Sequence, residues 1–231
     1  MKKLMSISML IVLAVAVGCA PKADDKGKGG TADVDLTKIN TDDFKPSLYV
    51  ELPETCPTPD GMTLCDESGM IYLNCPNFAV TNDDGSKKYP SVLLMIDKDG
   101  NAEKVLDYET GDALIGPMGL DVGPDGNLYV PDNHYFDDLD NKGSIPSGVI
   151  RVELDENGKP TGKFDTAVTG TGLSNALVWK GDKMYLSDTF LDPLTKAKEA
   201  TGMSGIWCFT KEELDNGPVE VTISETDPHL I

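Results

Sequence analysis

Basic residues are scarce in this chain: 20 Lys+Arg stand against 39 Asp+Glu in 231 residues, a formal net charge of −19. No Lys/Arg cluster offsets the excess. A chain so charged repels phosphate backbones, which excludes nucleic acid as a partner. Aromatic residues make up only 6%, and histidine occurs twice. A Gly-rich phosphate loop, zinc-ligand spacing and a nucleophile elbow are all missing, so the usual signatures of phosphoryl transfer, zinc chemistry and serine hydrolysis are absent. Helical periodicity does not occur outside the N-terminal apolar run, and that run is too short to span a bilayer. What the chain does have is 39% hydrophobic residues, 23 Gly and 15 Pro. That is the composition of a turn-rich acidic globule with enough chain for a core.

The N-terminus reads as an export signal. Lys2 and Lys3 precede an apolar run from Ile7 to Val17, followed by Ala16-Val17-Gly18-Cys19. A basic start, a short apolar stretch and small residues before a cut describe a secretory signal. Small residues immediately before Cys resemble the bacterial lipobox, with Val17 where Ala or Ser is usual. The expectation is a signal peptide over residues 1–18, lipidation of Cys19, and a flexible tether over 19–47 that begins Ala20-Pro21-Lys22-Ala23. The protein is then held at the bacterial cell envelope through its N-terminal lipid, on the periplasmic side or at the cell surface. Export permits disulfides, and Cys56, Cys65, Cys75 and Cys208 allow three pairings, with buried free thiols as the alternative.

Residues 48–231 are dominated by an internal repeat. Pro59-Asp60-Gly61 through Ile71-Tyr72-Leu73, Pro117-Met118-Gly119 through Leu128-Tyr129-Val130, and Ser174-Asn175-Ala176 through Met184-Tyr185-Leu186 align, with the shared Tyr at 72, 129 and 185. Each copy alternates apolar residues on either side of a tight Asp/Gly turn, the signature of a β-hairpin. A second hairpin follows each: Ser91–Ile96 with Ala102–Leu106, Gly148–Leu154 with Lys163-Phe164, and Gly205–Phe209 with Val219–Ile223. Four antiparallel strands per repeat make the blades of an all-β propeller. Three blades are expected, near 59–108, 117–168 and 174–224, with a stray strand at Leu48-Tyr49-Val50. Propellers close with four to eight blades, so the expectation is part of a larger ring.

The turns place the two ends of each inner hairpin on one rim. Asn175 and Asp188 flank the third turn, Met118 and Asp132 the second, and Asp60 and Cys75 the first. Cys56, in the loop entering the first hairpin, should therefore lie within disulfide reach of Cys75.

Gly172-Leu173-Ser174-Asn175-Ala176-Leu177-Val178-Trp179 followed by Met184-Tyr185-Leu186-Ser187-Asp188-Thr189 resembles the Asn-Gly strand of the SMP-30/gluconolactonase/luciferin-regenerating family. Gly116–Val122 through Val130-Pro131-Asp132-Asn133 resembles the same family and equally the NHL-type propellers. The resemblance spans roughly residues 55–225 and implies half of a six-bladed ring. It also implies a divalent cation, usually Ca²⁺, at the axis, and hydrolysis of a small lactone or ester. Residue by residue, Asn175 matches the axial Asn ligand, with Ala176 for the usual Gly. Asp60 takes a second ligand place, Met118 stands where Asp or Asn is preferred, and the catalytic acid falls beyond Ile231. Thioether is a poor ligand for a hard cation.

The same residues carry plainer readings. Asp132, Asn133 and Asp188 form a candidate rim site, yet an acid at a strand end often caps backbone amides. Asp97–Asn101 and Asp138–Gly143 resemble calcium loops without the bidentate Glu, so they read as turns. His134 beside Asp132 is a candidate general base with no nucleophile motif around it. The alternative to a metal-dependent lactone or ester hydrolase is a non-catalytic NHL-like propeller that binds a small ligand or an envelope protein on its rim.

Overall fold

Short apolar strands separated by Asp/Gly turns fold here into three stacked antiparallel sheets. In a computed structural model, residues 48–65, 68–108, 115–134, 147–191 and 200–231 are described. The expected signal peptide, Cys19 and the tether to residue 47 lie outside the described residues.

The first sheet is a meander of β1 (Met62–Cys65), β2 (Met70–Cys75), β3 (Val92–Ile96) and β4 (Ala102–Asp107), hydrogen-bonded in that order. The second runs β5 (Asp121–Val122), β6 (Leu128–Asp132), β7 (Ser147–Leu154) and β8 (Pro160–Thr171). The third holds β9 (Leu173–Lys180), β10 (Lys183–Leu191) and β11 (Ala200–Thr210). Every step within these meanders is antiparallel. The turns fall at the expected Asp/Gly stretches; Gly126, at φ 79°, takes the left-handed conformation that the β5–β6 turn requires.

Side-chain alternation stacks the sheets. Leu128 and Val130 of β6, with Ile150 and Val152 of β7, pack against Tyr72, Leu93, Met95 and Leu106 of the first sheet. The intervening Tyr129 and Val149 face the other way, onto Leu177, Met184, Leu186, Trp207 and Phe209 of the third. A sheet covered on both faces needs apolar residues on both, and β6 is buried at all five positions. The outer face of the first sheet buries Leu73, Val92, Leu94 and Ile96 with Cys56 and Cys75, against half-buried Val50 and Leu52. Cys56 and Cys75 form a disulfide with Cα atoms 5.5 Å apart, while Cys65 and Cys208 are free and half-buried.

The repeated tyrosines make the same step each time. Tyr72 faces the second sheet and donates to the Gly158 carbonyl there at 2.6 Å; burial pushes its phenol up to about 12. Tyr129 faces the third sheet, its ring 4.9 Å from Trp179. Tyr185, paired between Val178 and Cys208, lies on the face that no fourth sheet covers among the described residues. Three meanders packed face to face in chain order are blades of a partial β-propeller.

Three expectations need correction. Val219–Ile223 does not complete the third blade: β12 (Val219–Glu220) pairs parallel with β8, and Val221 N–H donates to the Thr169 carbonyl at 2.9 Å. The edge of β11 is taken instead by residues 229–231, through Cys208 N–H to the His229 carbonyl and Ile231 N–H to the Ile206 carbonyl. The segment after β11 contains a short helix, α1 (Lys211–Asp215), capped reciprocally by Thr210 and Glu213. Leu48–Val50 carries no strand.

Candidate functional site

The three inner strands meet at their starts. Asp60 N–H donates to the Asn74 carbonyl and Asn74 N–H to the Gly61 carbonyl, both at 2.9 Å, which closes the first hairpin opposite its turn. The Asn74 side chain, fully buried, donates to the Met118 carbonyl at 2.6 Å and accepts from the Tyr108 hydroxyl at 2.7 Å. Gly119 N–H donates to the Asn175 carbonyl at 2.8 Å. Space for a side chain is absent along this line: a Cβ on Gly61 would sit 2.2 Å from Gly119 Cα, and one on Gly119 3.0 Å from Ala176 Cα. Backbones 60–61, 118–119 and 175–176 therefore lie side by side, and the positions expected to converge do so.

Their side chains are not equivalent. Asp60 and Asn175 are exposed, whereas Met118 is buried and points no donor to the rim. Partial desolvation lifts the Asp60 carboxyl above its ordinary value, against the opposing hydrogen bond from Gly61. Asn175 borders a depression of about 290 Å³ shared with Ser187, Thr189, Ser204 and Ile206, and floored by Asp188.

Asp132 and Asp188 tie down the rim. Asp188 is buried and accepts from Gly172 N–H at 2.9 Å, Leu173 N–H at 2.7 Å and Trp207 Nε1–H at 2.9 Å. Desolvation still raises its carboxyl above the ordinary value, against those three bonds and one from the Thr189 amide. Asp132 accepts from Gly116 N–H through Oδ1 and pairs with His134 Nε2 through Oδ2, each at 2.9 Å. Asn133, fully buried, links the second blade to the third through a 3.4 Å bond from Nδ2 to the Ser174 carbonyl. Cys75 occupies the corresponding place in the first repeat. In all three repeats a residue late in the second strand anchors the chain that enters the first: Cys75 covalently to Cys56, Asp132 to Gly116, and Asp188 to Gly172 and Leu173.

This arrangement limits metal chemistry. Ca²⁺ takes six to eight oxygens, and the inner-strand starts offer one carboxylate and one amide side chain. Among the described residues no three His, Cys, Asp or Glu side chains are grouped to hold a metal. The side chains of the described residues do not by themselves fit a resident calcium ion.

Sequence reasoning passed over Asn74, Tyr108 and Asn77. Asn77 is fully buried at φ 58° and donates to the Thr55 and Pro90 carbonyls at 3.0 and 2.7 Å. Asn directly after a proline, in Cys75-Pro76-Asn77, was the available signal, since Asn tolerates the left-handed conformation.

No protein-family model matches the chain, and no curated protein does. Among solved structures, one described as a gluconolactonase aligns over 67% of this chain at 16% identity and a TM-score of 0.43. A gluconolactonase from Xanthomonas campestris aligns over 69% at 13% identity and a TM-score of 0.41. The aligned part spans 45% of the length of each of these proteins, less than half.

Proposed function

We propose that this protein is a lipid-anchored envelope propeller whose axial rim binds a small molecule of the lactone or ester class. The juxtaposition of the three inner-strand starts carries the reading, because it sets exposed Asp60 and Asn175 on one rim beside a depression lined by hydroxyl groups. An amide and several hydroxyls can donate to a lactone carbonyl and accept from its hydroxyls, while Ile206 offers an apolar wall. Binding requires only these groups, whereas metal-dependent hydrolysis needs oxygens that the described residues do not gather. Hydrolysis is the second reading, favoured by the raised Asp60 carboxyl, which suits a group that exchanges a proton nearer neutrality.

Titration of a six-membered lactone into the wild type and Asn175→Ala, with lactone consumption followed in the same samples with and without Ca²⁺, tests both. The expected result is binding weakened about ten-fold in Asn175→Ala, the loss of one good hydrogen bond. Equal affinity in the two proteins removes the rim reading. Lactone consumption that Asp60→Asn abolishes would promote the hydrolase.

The anchor rests on Ala16-Val17-Gly18-Cys19 and is tested separately. Cys19→Ala expressed in a bacterial host should appear in the soluble fraction, since stable attachment depends on the acyl chains. A variant as membrane-bound as the wild type would show that the anchor lies elsewhere.

A further inference from the structure

The segment after β12 returns to the third blade and is fastened there by its histidine. Residues 229–231 extend the edge of β11, with Cys208 N–H on the His229 carbonyl at 2.8 Å and Ile231 N–H on the Ile206 carbonyl at 3.0 Å. The His229 ring stacks on Phe209, centroids 5.2 Å apart and planes 29° from parallel. Its Nδ1 lies 3.0 Å from Asp227 Oδ1, on its own segment, and its Nε2 3.6 Å from Glu213 Oε1, on α1. The imidazole is only 17% exposed.

Both carboxylates are fixed by other bonds. Glu213 Oε2 accepts from the Thr210 hydroxyl and amide at 2.7 and 2.8 Å, and Asp227 Oδ2 accepts from Thr222 N–H at 2.8 Å. These bonds hold both carboxylates beside the ring. Of the other charged groups of α1, Lys211 and Asp215 pair with each other and Glu212 is exposed.

We propose that His229 is a pH-sensitive clamp that holds the 221–231 segment on the edge of the third blade. Imidazoles take up a proton near pH 6.5. Protonated, the ring donates a charge-assisted hydrogen bond to Asp227 and forms an ion pair with Glu213, joining the returning segment to α1. Neutral, it carries a single N–H and can donate to one carboxylate while its other nitrogen repels the second. Glu213 is held below its ordinary value by Thr210 and then by His229. Asp227, although burial opposes it, is held low by the Thr222 and His229 amides and the His229 ring. Both acids therefore stay charged into the acid range, so the clamp is tight while the imidazole carries its proton and relaxes once that proton is lost. Relaxation bares the Cys208 amide and Ile206 carbonyl, an unpaired strand edge open to another strand.

Hydrogen exchange on the intact protein, corrected for intrinsic rates, reads the Cys208 and Ile231 amides directly. Their protection is expected to fall about three- to ten-fold between pH 5 and pH 8 in the wild type, the scale of a half-buried charged pair. Glu213→Gln keeps an oxygen for the Thr210 cap, removes one charge, and should reduce that dependence. His229→Gln should show wild-type pH 8 protection at both values. Unchanged protection across pH in the wild type overturns the clamp. So does an undiminished pH dependence in Glu213→Gln, a result that stands even if His229→Gln does not fold.

Discussion

Gly61→Ala is expected to lower the melting temperature by about 10 °C, more than Gly119→Ala on the neighbouring inner strand. The new Cβ would lie 2.2 Å from Gly119 Cα and 2.8 Å from Gly119 N, so it meets backbone that cannot rotate aside. The first and second inner strands must then separate. That separation strains the Asn74–Met118 bond, now 2.6 Å, and through it the Tyr108 hydroxyl that Asn74 satisfies. Overpacking of this kind costs about 1–3 kcal/mol, and a buried group left without its partner about 1–3 more. For a domain of this size each kcal/mol moves the midpoint about 2–4 °C. Gly119→Ala meets Ala176 Cα at 3.0 Å, a looser contact, and should fall between the wild type and Gly61→Ala. Thermal melts followed by circular dichroism give the order. A Gly61→Ala protein that melts with the wild type would mean that the inner strands are further apart than described.

The same contact explains what was legible in the residues alone. Blades repeat because each must bury two faces, and that demand writes an alternating pattern and a turn into every copy. The shared tyrosines at 72, 129 and 185 therefore carry the spacing: Tyr72 and Tyr129 each face the next sheet, and Tyr185 the side of the third sheet that none covers among the described residues. The rim follows from symmetry, since both ends of a hairpin lie opposite its turn. Pairing of short edge segments was not legible. Val219–Ile223 alternates as a strand should, but alternation does not say which edge it will join, and β12 pairs across 51 residues with β8 at Val219↔Val168. Residues 229–231 lack any strand pattern, because their place depends on bonds from β11 backbone and on the His229 ring. The α1 cap was visible as Thr210-Lys211-Glu212-Glu213, a Thr three residues before a Glu. It was hidden by its length, since five residues are too few for an apolar stripe to repeat. Met118 departs from its repeat for a related reason: equivalent backbone positions need not present equivalent side chains. The second inner strand is covered on both sides, so its Met joins the buried residues instead of the rim.

Asp188→Ala should be the second large loss, about 3 kcal/mol at neutral pH and about 8 °C in melting temperature. The carboxylate is the shared acceptor of the Gly172, Leu173 and Trp207 donors, and alanine leaves two of them buried and the third half-buried without it. Each abandoned donor costs about 1–3 kcal/mol. Part of this is offset, because a charge that is expensive to bury disappears. Desolvation raises the Asp188 carboxyl, outweighing the three bonds, so the native state holds that proton more tightly than the unfolded chain does. The sign follows from linkage: a raised value contributes stability that is fully present below the unfolded value of about 3.9 and is lost as pH rises through the folded one. Asp188→Asn separates the two effects. With its carbonyl oxygen in the place of Oδ2 it can still accept from the Gly172 amide and the Trp207 indole, its amino group then faces the Leu173 amide, and it does not titrate. Melts at pH 4 and pH 7 should place Asp188→Asn between the wild type and Asp188→Ala. Its deficit against the wild type should be larger at pH 4, where more of the native Asp188 is protonated than at pH 7 and its burial is penalised less. A deficit that grows toward pH 7 instead would mean that the three hydrogen bonds outweigh desolvation, and that the Asp188 carboxylate stabilises the rim as a charge.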